Sequence, residues 1–241
     1  MPKLLYADGY NINDKIRLKI PTVGYVLDNE DSYYGAVTCI VATPYDMMVQ
    51  LDDMGMDFSQ IEEFELFAMM FGQLKQSDTS QIFDGLDLSK FQVAVNKQNG
   101  LLVLRDDEND ITIDRFIHAR IAVFLRTILS LEKNAKKPGN EEAKRYMLER
   151  ARKKIQQAKR RHKEKTSTLE KHIVALVNTE MFKYNYETVR DLTIYQFYES
   201  LAQVTHKIKY DNTMIGYYAG TIKSEDLSKK DRSWIAIDDE Y

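Results

Sequence analysis

FQVAVNKQNGLLVL, Phe91 to Leu104, carries the clearest strand pattern in the chain. Phe91, Val93 and Val95 alternate with polar or small residues, the period of a half-buried strand. Asn99-Gly100 is the dipeptide that a type I′ hairpin turn requires, and Leu101 to Leu104 forms the returning strand. Ile111 to Ile113 adds a short third strand. Upstream, KIRLKIP (Lys15 to Pro21) alternates Ile16, Leu18 and Ile20 with basic residues and predicts another strand, ended by Pro21.

Helical signals surround these strands. Thr22 caps a short helix through Leu27, and Asp31 to Ala42 reads as a buried helix stopping before Pro44. Thr43 as N-cap, with Pro44 at the first helical position, opens a helix that Gly55 stops. Ser59 and Glu62 form a capping box for an apolar helix through Gly72. Asp114 caps a strongly apolar helix from Arg115 to about Leu131. Residues 1–135 therefore predict an α+β domain, a small antiparallel sheet packed by helices. Residues 136–140, with Pro138-Gly139 at their centre, read as a linker.

A mainly helical region follows over 141–223. Ser167-x-x-Glu170 starts a helix through about Val177. Thr193 caps a long amphipathic helix with Ile194, Phe197, Tyr198, Leu201, Val204 and Ile208 on one face. Residues 224–241 form a charged tail containing the single tryptophan, Trp234.

Lys144 to Lys165 carries eleven Lys or Arg against two acids, a net +9 in a chain whose total is −3. Its apolar residues Leu148, Ala151, Ile155 and Ala158 are spaced 3, 4, 3, the narrow seam of a helix that packs on one neighbour. Bases flank that seam on both sides, so two copies of it would repel. An acidic surface suits it better, and LDDMGMDFSQIEEFE, with six acids and no base, is one within the chain. The segment fits a solvated arm, docking on an acidic partner or on the chain's own acidic face, or nucleic-acid binding. Its single aromatic, Tyr146, and the acidity of the remainder count against nucleic acid as the partner.

Apolar content of 44% and charged content of 29% are those of a soluble globular chain. No apolar run approaches the roughly 20 residues that span a bilayer, and the opening MPKLLYADGYNIND has no secretory-signal pattern. No membrane partner is expected. Cys39, in AVTCIVA, reads as a small core residue, and fifteen tyrosines point to interaction surfaces. His118, His162, His172 and His206 lack ligand spacing, with His118 reading as a satisfied core histidine. DDENDITIDRFI resembles a calcium loop only in its first acids and is better taken as a turn. Asp52-Asp53 reads as a helix-end charge cluster, since adjacent helical residues point apart. No catalytic residue, metal or cofactor is expected, and neither is enzyme activity.

INDKIRLKIPTVGYVLD, followed by YYGAVTCIVATPYDMMVQLDDMGMDFSQIEEFELFAMMF, resembles a protein family encoded in tail-gene clusters of phages of Gram-positive bacteria. VRDLTIYQFYESLAQVTHKIKYDNTMIGYYAGTI is similar to that family's tyrosine-rich helix, and Trp234 to its late tryptophan. Where the family has Pro-Thr-Leu-Gly-Glu, this chain has Val23 and Tyr25, which removes an acid. The resemblance implies a non-enzymatic role in phage tail or baseplate assembly, as chaperone or structural subunit. Expected partners are tape-measure or baseplate proteins, and a homo-oligomer would use a surface other than the basic arm. The expected setting is the host bacterial cytoplasm during assembly, or the virion tail. Partner contacts are expected at Leu148, Ala151, Ile155, Ala158, Tyr195, Tyr198 and Trp234. The alternatives are a nucleic-acid-binding protein using helix 144–165 and a phage inhibitor of a host protein.

Overall fold

A computed structural model describes residues 3–96, 100–160 and 167–235. The chain divides into two compact units. Unit 1 comprises Met1–Pro21 and Asp28–Ser167, and unit 2 comprises Thr22–Leu27 and Thr168–Tyr241. The fold is α+β, with two small antiparallel sheets in the N-terminal half. The 136–140 segment lies inside unit 1, together with the helix that follows it.

In unit 1, β1 (Gly9–Asn11) pairs with β2 (Arg17–Lys19) in the register Tyr10 to Leu18. Asn13 turns the hairpin, its side-chain Oδ1 accepting from the backbone amides of Lys15 and Ile16. Ile16, Leu18 and Ile20 are all buried, as their alternation requires. The second sheet is β3 (Gln92–Val95), β4 (Leu102–Asp106) and β5 (Ile111–Ile113) in that order.

The β3–β4 turn departs from the expected two-residue loop. Val95 pairs with Leu102 and the Asn96 amide donates to the Leu101 carbonyl, so the loop is longer. Gly100 supplies its left-handed residue at φ 71°, while Asn99 lies outside the described residues. Val93 and Val95 are exposed on the edge strand β3, and only Phe91 before it reaches the core. The DDEND segment is indeed a turn. The buried Asp106 carboxylate accepts from the amides of Glu108 and Asn109 and from the Asn109 side chain.

Helices α4 (Glu63–Leu74) and α5 (Arg115–Ile128) pack on β4 and β5 of the second sheet, and α2 (Glu30–Val41) packs on both helices. Asp114 caps α5 through the amides of Phe116 and Ile117, both at 2.9 Å. The cap of α4 is Glu62 rather than Ser59, in a reciprocal box with Glu65. Ser59 is diverted because the Asp57 carboxylate takes both its amide and its hydroxyl. The helix α3 (Met48–Asp53) likewise begins later than Thr43. Thr43 and Asp46 bond each other reciprocally and hold residues 43–47 in a turn, while Gly55 at φ 74° ends the segment as expected.

His118 of α5 is buried and stacks on Phe67 at 4.4 Å. Its Nε2–H donates to the Ile40 carbonyl at 2.8 Å, and Arg126 donates to the carbonyl of Val41. Both carbonyls lie in the last turn of α2, where intrahelical partners run out. Two side chains of α5 thus finish the C-terminus of α2. Burial pushes the His118 imidazole below its ordinary value and keeps it neutral.

Unit 2 contains α7 (Thr168–Val177) and α8 (Ile194–Tyr218). Thr193 and Gln196 form the α8 capping box. The Thr22–Leu27 stretch, most of α1 (Val23–Asp28), belongs here: the Val23 amide donates to the Leu192 carbonyl at 2.8 Å, and Thr22 bridges Thr193. Val23 and Val26 are fully buried.

Candidate functional site

The basic segment forms α6 (Glu141–Arg160), and within unit 1 its first half is docked against α3. Lys144 Nζ lies 2.6 Å from the Asp57 carboxylate. Eight residues on, about 12 Å along the helix, Arg152 Nη2 meets Asp52 at 2.7 Å and Asp53 at 2.5 Å. The two adjacent aspartates therefore converge on one guanidinium instead of pointing apart, because they end α3 at the point where Arg152 reaches it. Between these clamps Met147 packs on a cluster of Ala42, Tyr45, Leu51, Phe58 and Leu66. The Lys144 ammonium and Ser59 together lower the Asp57 carboxyl to about 2.

All six acids of the 51–65 stretch have local work. Asp52, Asp53 and Asp57 hold α6. Glu62 and Glu65 cap α4, and Glu63 pairs with Lys133 at 2.5 Å and Arg126 at 3.6 Å.

The apolar seam is used only in part. Leu148 and Ala151 are half-buried, Ile155 is 36% exposed and Ala158 is exposed. Met147, one residue off the seam, makes the contact with the cluster, since the helix is rotated to bring Lys144 and Arg152 onto their acids. Beyond Arg152 the face turns to solvent. Arg145, Arg150, Lys153, Lys154 and Arg160 are exposed and form no ion pair among the described residues. Arg161 to Lys165 lies outside the described residues.

In unit 2, Tyr195 and Tyr198 are half-buried near the start of α8, and Tyr198 lies edge-on to His172. Trp234 is exposed, and its carbonyl accepts from the Gln203 amide at 2.8 Å. The tail is not free over 224–235: it runs back along α8, with His206 bonded to the Ser233 carbonyl and Lys209 to Asp231 at 3.0 Å. Ser228 and Lys209 hold the Asp231 carboxyl down to about 2. The two most exposed large apolar residues of this helix, Ile215 and Tyr218, are ones that the sequence did not single out.

Among the described residues, no three His, Cys, Asp or Glu side chains come together as a possible metal-ligand set. No helix among them is long and apolar enough to cross a membrane. Comparison with curated proteins finds no match, and neither does comparison with solved structures. Residues 159–237, which contain α7, α8 and the returning tail, match the family model described as the YomV second domain, and that match points to a phage-associated protein family.

Proposed function

We propose that the protein serves phage tail or baseplate assembly by binding another protein, as chaperone or structural subunit, through the outer half of α6. The observation that carries this is the asymmetry of the arm. Lys144, Met147 and Arg152 anchor its first half on the chain's own acidic face. That leaves Arg150, Lys153, Lys154 and Arg160 exposed on the side of the helix away from the docked seam. A helix held at its base presents these cations in a defined strip, suited to steering and orienting an acidic, largely helical partner such as a tape-measure or baseplate protein. The resemblance to tail-cluster proteins and the phage-associated match over 159–237 support the phage setting.

The test is affinity capture from phage-infected cells, with mass spectrometry of captured complexes and of purified virions. Tail or baseplate proteins should copurify with the wild type and be lost when Lys153, Lys154 and Arg160 are all replaced by Glu. A chaperone would be absent from mature virions, whereas a subunit would remain. Recovery of no tail protein, or equal recovery by the charge-reversed variant, would refute the proposal. Submicromolar duplex DNA binding that the same substitutions abolish would put nucleic acid in the partner's place.

A further inference from the structure

We infer that the outer half of α8 pairs antiparallel with the same helix of a second copy of the chain. α8 carries one continuous seam with 4, 3 spacing: Phe197, Leu201, Val204, Ile208, Asp211, Ile215 and Tyr218. Its first half is covered within unit 2, where Phe197 and Val204 are buried and Leu201 is half-buried. The packing helix α7 has only ten residues against the twenty-five of α8. Beyond Val204 no residue of α8 is buried. Ile208 is 43% exposed, Ile215 67% and Tyr218 81%. The returning tail does not close this gap. It contacts Gln203, His206 and Lys209, which lie on another face of the helix.

The flanks of the open seam say what covers it. Thr205, Asn212, Met214 and Ala219 beside it are uncharged, and Lys207 is neutralised by Asp211 of its own helix at 2.5 Å. Two copies therefore meet without the like-charge repulsion that bars α6 from pairing with itself. A strongly charged partner would find no countercharge here.

Asp211 sets the direction. A parallel pair would stack Asp211 on Asp211 of the second copy inside the seam. An antiparallel crossing near Thr213 instead places Ile208 against Tyr218 of the second copy and offsets the two aspartates by about 6 Å along the axis. The seam is short, three turns, so the dimer is a weak one with a dissociation constant in the micromolar range.

Sedimentation velocity on the full chain, from about 1 to 200 μM, tests this. The wild type should shift from monomer to dimer with concentration. Ile215→Glu should stay monomeric with an unchanged melting temperature, because that side chain is exposed in the monomer. A wild type that is monomeric throughout, or an Ile215→Glu variant that dimerises like it, would overturn the inference. So would a dimer lost only on charge reversal in α6, which would locate the contact on the other proposed surface.

Single-cysteine cross-linking reads the orientation and serves equally if Ile215→Glu fails to fold. In the antiparallel pair the two 212 positions lie about 3 Å apart along the axis and the two 205 positions about 24 Å. Asn212→Cys should cross-link and Thr205→Cys should not. Equal yields at both positions, or no cross-link at 212, would overturn the arrangement.

Discussion

Met147→Asp should release α6 from α3 while leaving the rest of unit 1 folded. Met147 is half-buried against Leu51, Phe58 and their neighbours. Full burial of a methionine stabilises by about 1.5–3 kcal/mol, so half burial contributes about 1 kcal/mol. The new carboxylate would also sit among Asp52, Asp53 and Asp57, adding repulsion. A change of 1–1.4 kcal/mol is about a fivefold to tenfold shift in the local opening equilibrium. Tertiary packing supplies most of a helix's stability in water, so opening should expose its amides. Hydrogen exchange over 141–152 should therefore accelerate by about that factor. Ile155→Asp, placed past the docked turns, should change exchange less than about twofold, since a largely exposed substitution has little effect. Equal acceleration by both variants, or none by Met147→Asp, would refute the docking argument. The ion pairs supply a separate signature. Asp57 titrates lower in the folded chain than in the unfolded one, so its contribution is complete above about 3.8 and is lost as the pH falls through about 2. Acidification from pH 7 to 5 should leave Asp57's part of the docking intact, while about 1 M salt should weaken the exposed clamps.

His118→Leu would strand the Ile40 carbonyl, a buried acceptor whose loss of partner costs about 1–3 kcal/mol. Because burial lowers the histidine's value, the native imidazole stabilises fully above about 6.5 and progressively less as pH falls. Urea melts should accordingly show a gap between wild type and variant that narrows below pH 6.5, and a pH-independent gap would refute this account. Gly9→Ala would bring a Cβ within 2.3 Å of the Leu18 carbonyl oxygen, across the β1–β2 ladder. Overpacking of this kind costs about 1–3 kcal/mol; an unchanged urea midpoint would show that the ladder absorbs it.

Signals that act within a few residues were legible in the chain. Asp114 and the Thr193–Gln196 pair cap helices where their side chains reach amides two or three positions on, and alternation placed Ile16, Leu18 and Ile20 in the core. The α+β class follows from such local periodicity. Competition between equally local signals already blurred the outcome: Ser59 could cap a helix, but Asp57 holds it in a turn and Glu62 takes the role.

Only the tertiary structure decided which surfaces meet. Arg152 lies 100 residues from Asp52, and opposite charge made docking on this acidic stretch one of three readings without deciding among them. The same holds for the choice of Met147 over Ile155 as the packing residue, and for Thr22–Leu27 joining the C-terminal helices. Nor does a seam record how much of itself is covered. The 4, 3 repeat runs along α8 with Asp211 as its one charged member, yet α7 ends after ten residues and leaves Ile208, Ile215 and Tyr218 open. Periodicity specifies a face, whereas its partner depends on the lengths and placement of elements distant along the chain.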